Sequence, residues 1–91
     1  MLNKIVFTQL NKISIGSLSL QDGKSRYTFG DQKNNKLHAE IIVHDPKFYR
    51  FVVFGGSIGS SEAFMSGYWS SPNLTNVIRI FAVNAHLADE L

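Results

Sequence analysis

The apolar residues at the start of the chain are spaced as they would be on one face of a helix. These residues are Leu2, Ile5, Val6, Leu10 and Ile13, and most positions between them are polar. A stripe of this kind predicts an amphipathic first helix that packs one face against the rest of the protein. The stripe predicts a helix that packs against the protein and gives no information about catalysis or ligand binding.

The next segment, residues 17–29, alternates between apolar and polar side chains. Asp22-Gly23 lies in its middle and is a strong signal for a two-residue hairpin loop, because a type I′ turn needs positive φ at both central positions. With that loop, Leu18 lies opposite Tyr27. One side of the predicted hairpin collects the apolar residues Leu18, Leu20, Tyr27 and Phe29, and the separation from the polar side is clean.

A third strand is predicted from about Leu37 to His44, after a polar loop at residues 31–35. Leu37, Ala39, Ile41 and Val43 alternate with His38, Glu40, Ile42 and His44. We expect the three strands to form an antiparallel sheet with one covered face.

The second half of the chain has helical spacing. Asp45-Pro46 predicts a helix start, because the carboxylate caps free N–H groups and proline suits the first turn. Gly55-Gly56 ends this helix, a short one follows from Ser60 to Ser66, and Ser70-Ser71-Pro72 opens a longer one. The predicted buried stripe of this last helix is Leu74, Val77, Ile78, Phe81, Ala82 and Ala85. Its predicted outward residues are Asn73, Asn76, Arg79 and Asn84.

The grouping of these elements predicts an α+β fold. An N-terminal helix precedes a small sheet of about three or more strands, and two or three helices then pack on the sheet. The 91 residues suffice for one domain with a modest core. We therefore interpret residues 1–91 as a single domain.

Composition narrows the classes of function. The formal charge is +2 and the basic residues are dispersed, so no nucleic-acid partner is expected. The chain has no cysteine, which excludes thiolate chemistry. No stretch resembles a signal peptide or approaches the roughly 20 apolar residues of a membrane-spanning helix. We expect a cytoplasmic protein that makes at most peripheral contact with the inner face of the membrane.

Two groups of residues resemble chemical sites, and both are better explained by structure. The run Gly55-Gly56-Ser57-Ile58-Gly59 follows a predicted helix and lacks the lysine of a phosphate loop, so a sharp turn is favoured. His38, Glu40 and His44 share a strand face, but His44 lies roughly 13 Å from Glu40, too far for a shared metal ion. No catalytic, cofactor-binding or metal-binding residue is predicted.

The aromatic residues of the second half are the candidate contacts with lipid or a partner. They are Phe48, Tyr49, Phe51, Phe54, Tyr68 and Trp69. The alternative is that they form the core, which a small domain needs. The helix that starts at Asp45 is nevertheless apolar nearly all round, so one of its faces must meet something other than the sheet.

An ordered series of residues resembles a known family. It begins with His44-Asp45-Pro46, Phe48-Tyr49 and Gly55-Gly56. It continues with Glu62-Ala63-Phe64-Met65, Gly67, Trp69, Ser71-Pro72-Asn73-Leu74, Ile78-Arg79-Ile80-Phe81 and Asn84. The series is similar to the N-terminal domain of cyclopropane-fatty-acyl-phospholipid synthases, and the resemblance covers nearly the whole chain.

The resemblance implies a function for a longer protein. Such an enzyme uses S-adenosylmethionine to add a methylene across the double bond of an acyl chain in a membrane phospholipid. Its N-terminal domain is a sterol-carrier-like α+β module that assists lipid access or oligomerisation. The catalytic residues and the cofactor belong to a C-terminal methyltransferase domain that these 91 residues lack. This chain alone is therefore not expected to be an enzyme.

Expected partners are that methyltransferase domain, the membrane phospholipid surface and a second copy of the chain. Two alternatives stay open. A free-standing lipid carrier would bind a fatty-acyl ligand in an interior pocket. A structural interaction module would dimerise through the second helix, and Phe51→Asp or Phe54→Asp would disrupt the dimer.

Overall fold

The fold is described from a computed structural model, for residues 2–33 and 36–85. The elements in chain order are α1 (Leu2–Leu10), β1 (Ser17–Asp22), β2 (Ser25–Gly30), β3 (His38–Val43), α2 (Lys47–Met65), β4 (Trp69–Ser70) and α3 (Leu74–Val83). This arrangement confirms the α+β class, with an N-terminal helix, a small sheet and further helices packed on it. The sequence pattern did not predict the short strand β4.

The sheet is mixed, with strand order β2-β1-β3-β4. β1 pairs antiparallel with β2 but parallel with β3, so the expected all-antiparallel sheet is wrong in this pairing. The chain crosses from β2 to β3 at the start of β1. There the Asp31 N–H donates a 2.9 Å backbone hydrogen bond to the Gly16 carbonyl, and the Ser17 N–H donates one of 2.9 Å to the Leu37 carbonyl. This crossing brings β3 to the far side of β1 in the same direction.

The hairpin register differs by two residues from the predicted one. Asp22 pairs with Ser25, so the loop is Gly23-Lys24 and Leu18 lies opposite Phe29. Among the described residues only glycines have positive φ, and Gly23 has φ of 60°. Glycine at the first loop position followed by a residue with negative φ fits a type II′ turn, not type I′. The shift is even, so the predicted apolar side keeps its residues.

The core lies between the sheet and the helices. Its buried apolar residues include Leu18, Leu20, Phe29, Ala39 and Ile41 from the sheet, Val6 and Leu10 from α1, Phe48, Tyr49 and Ala63 from α2, and Val77 and Ile80 from α3. Ile5 of α1, predicted to be buried, is 47% exposed.

Side-chain amides close one edge of β3. β4 pairs only with the last two residues of this strand. Towards the start of β3, Asn73 accepts a 3.0 Å hydrogen bond from the Glu40 N–H, and Asn76 donates one of 3.0 Å to the His38 carbonyl. These amides satisfy backbone groups that a neighbouring strand would otherwise satisfy, and they bring the start of α3 against β3.

Candidate functional site

The polar residues near β3 are engaged in separate contacts. His38 Nδ1 lies 2.8 Å from Ser17 Oγ, and Glu40 forms a 2.9 Å ion pair with Arg26. His44 lies beyond the end of the strand. In the described part of the chain, no group of three His, Cys, Asp or Glu residues is placed to hold a metal ion.

The glycine-rich run is a break inside α2. Gly56 has φ of 56° and ψ of −134°, which interrupts the helix near the place that the sequence predicts. The helix resumes directly after it, three residues earlier than the predicted Ser60. Gly59 is buried against the backbone carbonyl of Phe51, so the two halves of α2 meet closely on one side of the break.

The six candidate contact residues separate into two groups. Phe48, Tyr49 and Trp69 are only 3%, 6% and 7% exposed and belong to the core. The core alternative therefore holds for these three, and they offer no surface to lipid or a partner. Phe51 and Tyr68 are half-buried. The last of the six, Phe54, is 76% exposed.

Trp69 is held in the core by a polar contact as well as by packing. Its indole N–H donates a 2.9 Å hydrogen bond to the Ser60 carbonyl, and its ring lies 5.0 Å from Phe64 and 6.1 Å from Phe48 in edge-on geometry. A buried indole N–H needs such a partner. Trp69 thus ties β4 to the second half of α2.

Tyr49 joins the start of α2 to the end of β1. Its hydroxyl donates a 2.6 Å hydrogen bond to the Asp22 carboxylate. Burial raises the pKa of Tyr49 above its usual value, and the hydrogen bond and the negative charge of Asp22 raise this pKa further. The same bond explains why Asp22 belongs to the strand and not to the hairpin loop.

We expect Tyr49→Phe to lower the free energy of unfolding near pH 8 by about 1–2 kcal/mol, because Asp22 loses a donor. Because folding raises the pKa of Tyr49, the stabilisation that its hydroxyl provides is fully present below about pH 10, the pH at which the phenol of the unfolded chain titrates. This stabilisation is lost as the pH rises further. Urea unfolding of both proteins from pH 8 to pH 11 measures this. The wild type should decline more steeply above pH 10, and parallel profiles would contradict the prediction.

One apolar surface lies around the break in α2. The "α2 surface" consists of Arg50, Phe51, Phe54, Ile58 and Glu62, which line a shallow groove of about 400 Å³ with Gly55 and Gly59. Phe54 is 76% and Ile58 is 73% exposed, so both side chains project into solvent. Their exposure shows that one face of α2 has no partner within the described chain.

A second apolar surface lies on α3. The "α3 surface" consists of Ile78, Phe81, Ala82 and the following Ala85. Ile78 is 61% and Phe81 is 43% exposed. Beside it is a notch of about 130 Å³ between α1 and α3, lined by Gln9, Leu10, Lys12, Ile13, Phe81, Asn84 and Ala85. The prediction that Ile78 and Phe81 belong to the buried stripe of this helix is therefore wrong.

Three asparagines explain the orientation of α3. Asn73 and Asn76 face β3, and Asn84 is 6% exposed. At 100° per residue, Asn73 and Asn84 lie within about 20° of each other, on the face that also carries Val77 and Ile80. The shared face of these asparagines was the signal in the sequence that could have indicated the correct orientation.

No protein-family model, no curated protein and no solved structure matches this chain. None of the helices in the described parts has the length and apolar character that crossing a bilayer requires.

Proposed function

We propose that this chain is an accessory domain of a cyclopropane-fatty-acyl-phospholipid synthase-like methyltransferase. The catalytic domain would bind S-adenosylmethionine and transfer its methyl group. The chain would contribute binding surfaces, helping the enzyme to reach lipid and holding the catalytic domain. In this proposal the chain alone has no methyltransferase activity.

The observation that carries the proposal is the α3 surface. The opposite face of α3 packs against the rest of the domain, because Val77 and Ile80 are buried there and the asparagines form hydrogen bonds with backbone groups. Ile78 and Phe81 therefore form a second apolar face, beside a concave notch that suits a protein side chain. Contiguous apolar surface next to a pocket is typical of protein-binding sites. We propose that the catalytic domain docks there.

The lipid-carrier alternative has no comparable support. A carrier needs an enclosed apolar chamber, whereas the groove on α2 and the notch beside α3 are both open to solvent. The interaction-module alternative concerns the α2 surface. It predicts a dimer that Phe51→Asp or Phe54→Asp disrupts.

The double variant Ile78→Asp/Phe81→Asp tests the docking. We expect it to weaken binding of the chain to a separately purified catalytic domain of a synthase of this family by about tenfold or more, because charged groups cannot enter an apolar interface without loss. Titration calorimetry measures the affinity. Methyl transfer to phospholipid vesicles, with and without the chain, measures the functional consequence.

The control is Phe54→Ser/Ile58→Ser, which changes one phenylalanine and one isoleucine on the α2 surface. These side chains are 76% and 73% exposed, more than Ile78 and Phe81. The control should bind the catalytic domain as the wild type does. If the α3 variant also binds like the wild type, or if the chain neither binds the domain nor stimulates transfer, the proposed function is wrong.

A further inference from the structure

The strand β2 lies at one edge of the sheet, and no strand of the described chain pairs with its outer side. On its inner side the Asp31 N–H donates to the Gly16 carbonyl, in register with the β1–β2 ladder. Because hydrogen-bonded pairs alternate along an antiparallel ladder, Tyr27 and Phe29 turn their backbone N–H and C=O groups towards β1. The residues that turn these groups outward are Arg26, Thr28 and Gly30. This row of donors and acceptors at two-residue spacing matches an extended polypeptide strand.

The strand β2 lacks the features that protect edge strands from pairing. Such features include a proline, a bulge, or a charged side chain that projects from the edge. β2 contains no proline, and its six residues pair with β1 without a bulge. Its charged residue, Arg26, reaches inward across the sheet, where it lies 3.3 Å from Ser19 and 2.9 Å from Glu40. The edge is therefore open to a further strand.

Aromatic side chains lie beside this edge on the face that the helices cover. Tyr27 is 37% exposed. Its ring lies 4.4 Å from that of Phe7, which in turn lies 5.8 Å from the ring of Phe29. A strand that paired with β2 would cover Tyr27 if it carried an aromatic residue at the opposite position, because directly opposite aromatic side chains stabilise antiparallel pairs.

A second copy of β2 satisfies these requirements in one register. In an antiparallel pair centred on Thr28, this residue lies opposite its own copy, and Arg26 lies opposite Gly30 of the second copy. All three outward residues are then paired. On the other face Tyr27 lies opposite Phe29 of the second copy. The two Arg26 residues stay about 13 Å apart, whereas a register centred on Arg26 would place these like charges opposite each other.

We propose that two copies of the chain dimerise through antiparallel pairing of their β2 strands, with Thr28 on the two-fold axis. The two four-stranded sheets then form one continuous sheet. This interface uses neither the α2 surface nor the α3 surface. It therefore goes beyond the proposed function and does not depend on it, and the α3 surface stays available to a catalytic domain.

Sedimentation equilibrium of the full chain, at concentrations up to about 1 mM, tests the dimer. Thr28→Pro should weaken dimerisation by about tenfold or more, because each copy loses the N–H that it donates across the axis. The ladder with β1 should remain, since this N–H points away from β1. Thr28→Val keeps the N–H and is the matched control, which should dimerise as the wild type does. Circular dichroism checks that each variant is folded.

Disulfide formation tests the register and does not depend on the proline variant. The chain has no cysteine, so one introduced cysteine can only pair between copies. Opposite hydrogen-bonded residues have Cα atoms about 5.5 Å apart, which a disulfide can span. Thr28→Cys should therefore form a covalent dimer in a glutathione buffer. Ser25→Cys is the control and should stay monomeric on a non-reducing gel, because the proposed register separates the two Ser25 residues by about 20 Å.

Three outcomes would overturn the inference. The first is a wild-type chain that stays monomeric at every concentration tested. The second is equal disulfide formation by Thr28→Cys and Ser25→Cys. The third is a dimer that Phe54→Ser/Ile58→Ser or Ile78→Asp/Phe81→Asp dissociates, which would assign the contact between copies to the α2 or the α3 surface. Because no catalytic domain is present, none of these outcomes tests the docking proposed for the α3 surface.

Discussion

Asn84→Ala is expected to lower the free energy of unfolding by about 2–4 kcal/mol, a large share of the stability of a domain of this size. The Asn84 side chain accepts hydrogen bonds of 3.1 Å and 3.2 Å from the N–H groups of Ser14 and Ile15. It donates to the carbonyls of Ile15 at 2.9 Å and Ile80 at 2.7 Å. Alanine would leave backbone groups of the α1–β1 connection without partners. Urea unfolding measures the loss.

Two further variants define the cause of that effect. Asn11→Ala changes an exposed asparagine and should alter stability by no more than about 0.5 kcal/mol. Asn84→Asp keeps the acceptor but replaces the donor with a carboxylate oxygen that faces two carbonyls. It should be destabilised at neutral pH and recover part of the loss below about pH 4, where protonation restores a donor. If Asn84→Ala were as stable as the wild type, the Asn84 hydrogen bonds would not hold the α1–β1 connection against α3.

Gly59→Ala is expected to destabilise the fold by about 3 kcal/mol. A methyl group at this position would collide with the Phe51 carbonyl across the break in α2. Backbone atoms cannot move aside as a flexible side chain can, so the two halves of the helix would have to separate. The separation should also disturb the Trp69 hydrogen bond to Ser60, the residue next to Gly59. Urea unfolding followed by Trp69 fluorescence measures both.

Neighbouring glycines provide the controls for Gly59. A side chain at Gly55 would meet open space, and Gly55 has helical backbone geometry. Gly55→Ala should therefore stabilise the protein by about 0.5–1 kcal/mol. Gly56→Ala also meets open space, but φ of 56° with ψ of −134° is a backbone conformation that residues other than glycine rarely adopt, which should cost about 1–3 kcal/mol. If all three variants had equal stability, the close contact between the helix halves would not exist in solution.

The residues that carry the family resemblance mostly serve the fold. The Asp45 carboxylate binds the Lys47 N–H at the start of α2, Trp69 binds the Ser60 carbonyl, and Asn84 clamps the α1–β1 connection to α3. The two exposed surfaces instead depend on side chains such as Phe54. A variant of the first kind should lower stability, whereas a variant of the second kind should lower binding with stability unchanged.

Features set by neighbouring residues were predictable from the sequence. The Asp45 cap and the helix break at Gly56 each depend on a few adjacent residues. The apolar face of the hairpin followed from simple alternation. The two residues of the hairpin loop could not be predicted in this way, because the hydrogen bond between Asp22 and Tyr49, which are 27 positions apart, keeps Asp22 in the strand.

The parallel pairing of β3 was not predictable from its pattern. Alternating residues such as Ala39 and Ile41 fit a parallel neighbour as well as an antiparallel one. The direction was decided by the connection across the start of β1 and by Asn73 and Asn76, which occupy the opposite edge of β3.

The candidate contact residues could be named from the sequence, but the sequence did not show which of them are buried and which are exposed. Phe48 and Phe54 have the same side chain on the same helix, yet the first is 3% exposed and the second 76%. Helical spacing did not show which side of α2 meets the sheet, because the helix is apolar nearly all round. The same ambiguity on α3 placed Ile78 in the predicted core.

The sequence by itself determined the elements other than the short strand β4, the α+β class and the position of the break in α2, because each depends on backbone preferences and short-range periodicity. The tertiary structure decided which faces are buried and which remain available for binding. Those faces depend on partners far along the chain: Asn73 bonds to a residue 33 positions away and Asn84 to one 70 positions away. A polar side chain turns inward only where the folded backbone provides such partners.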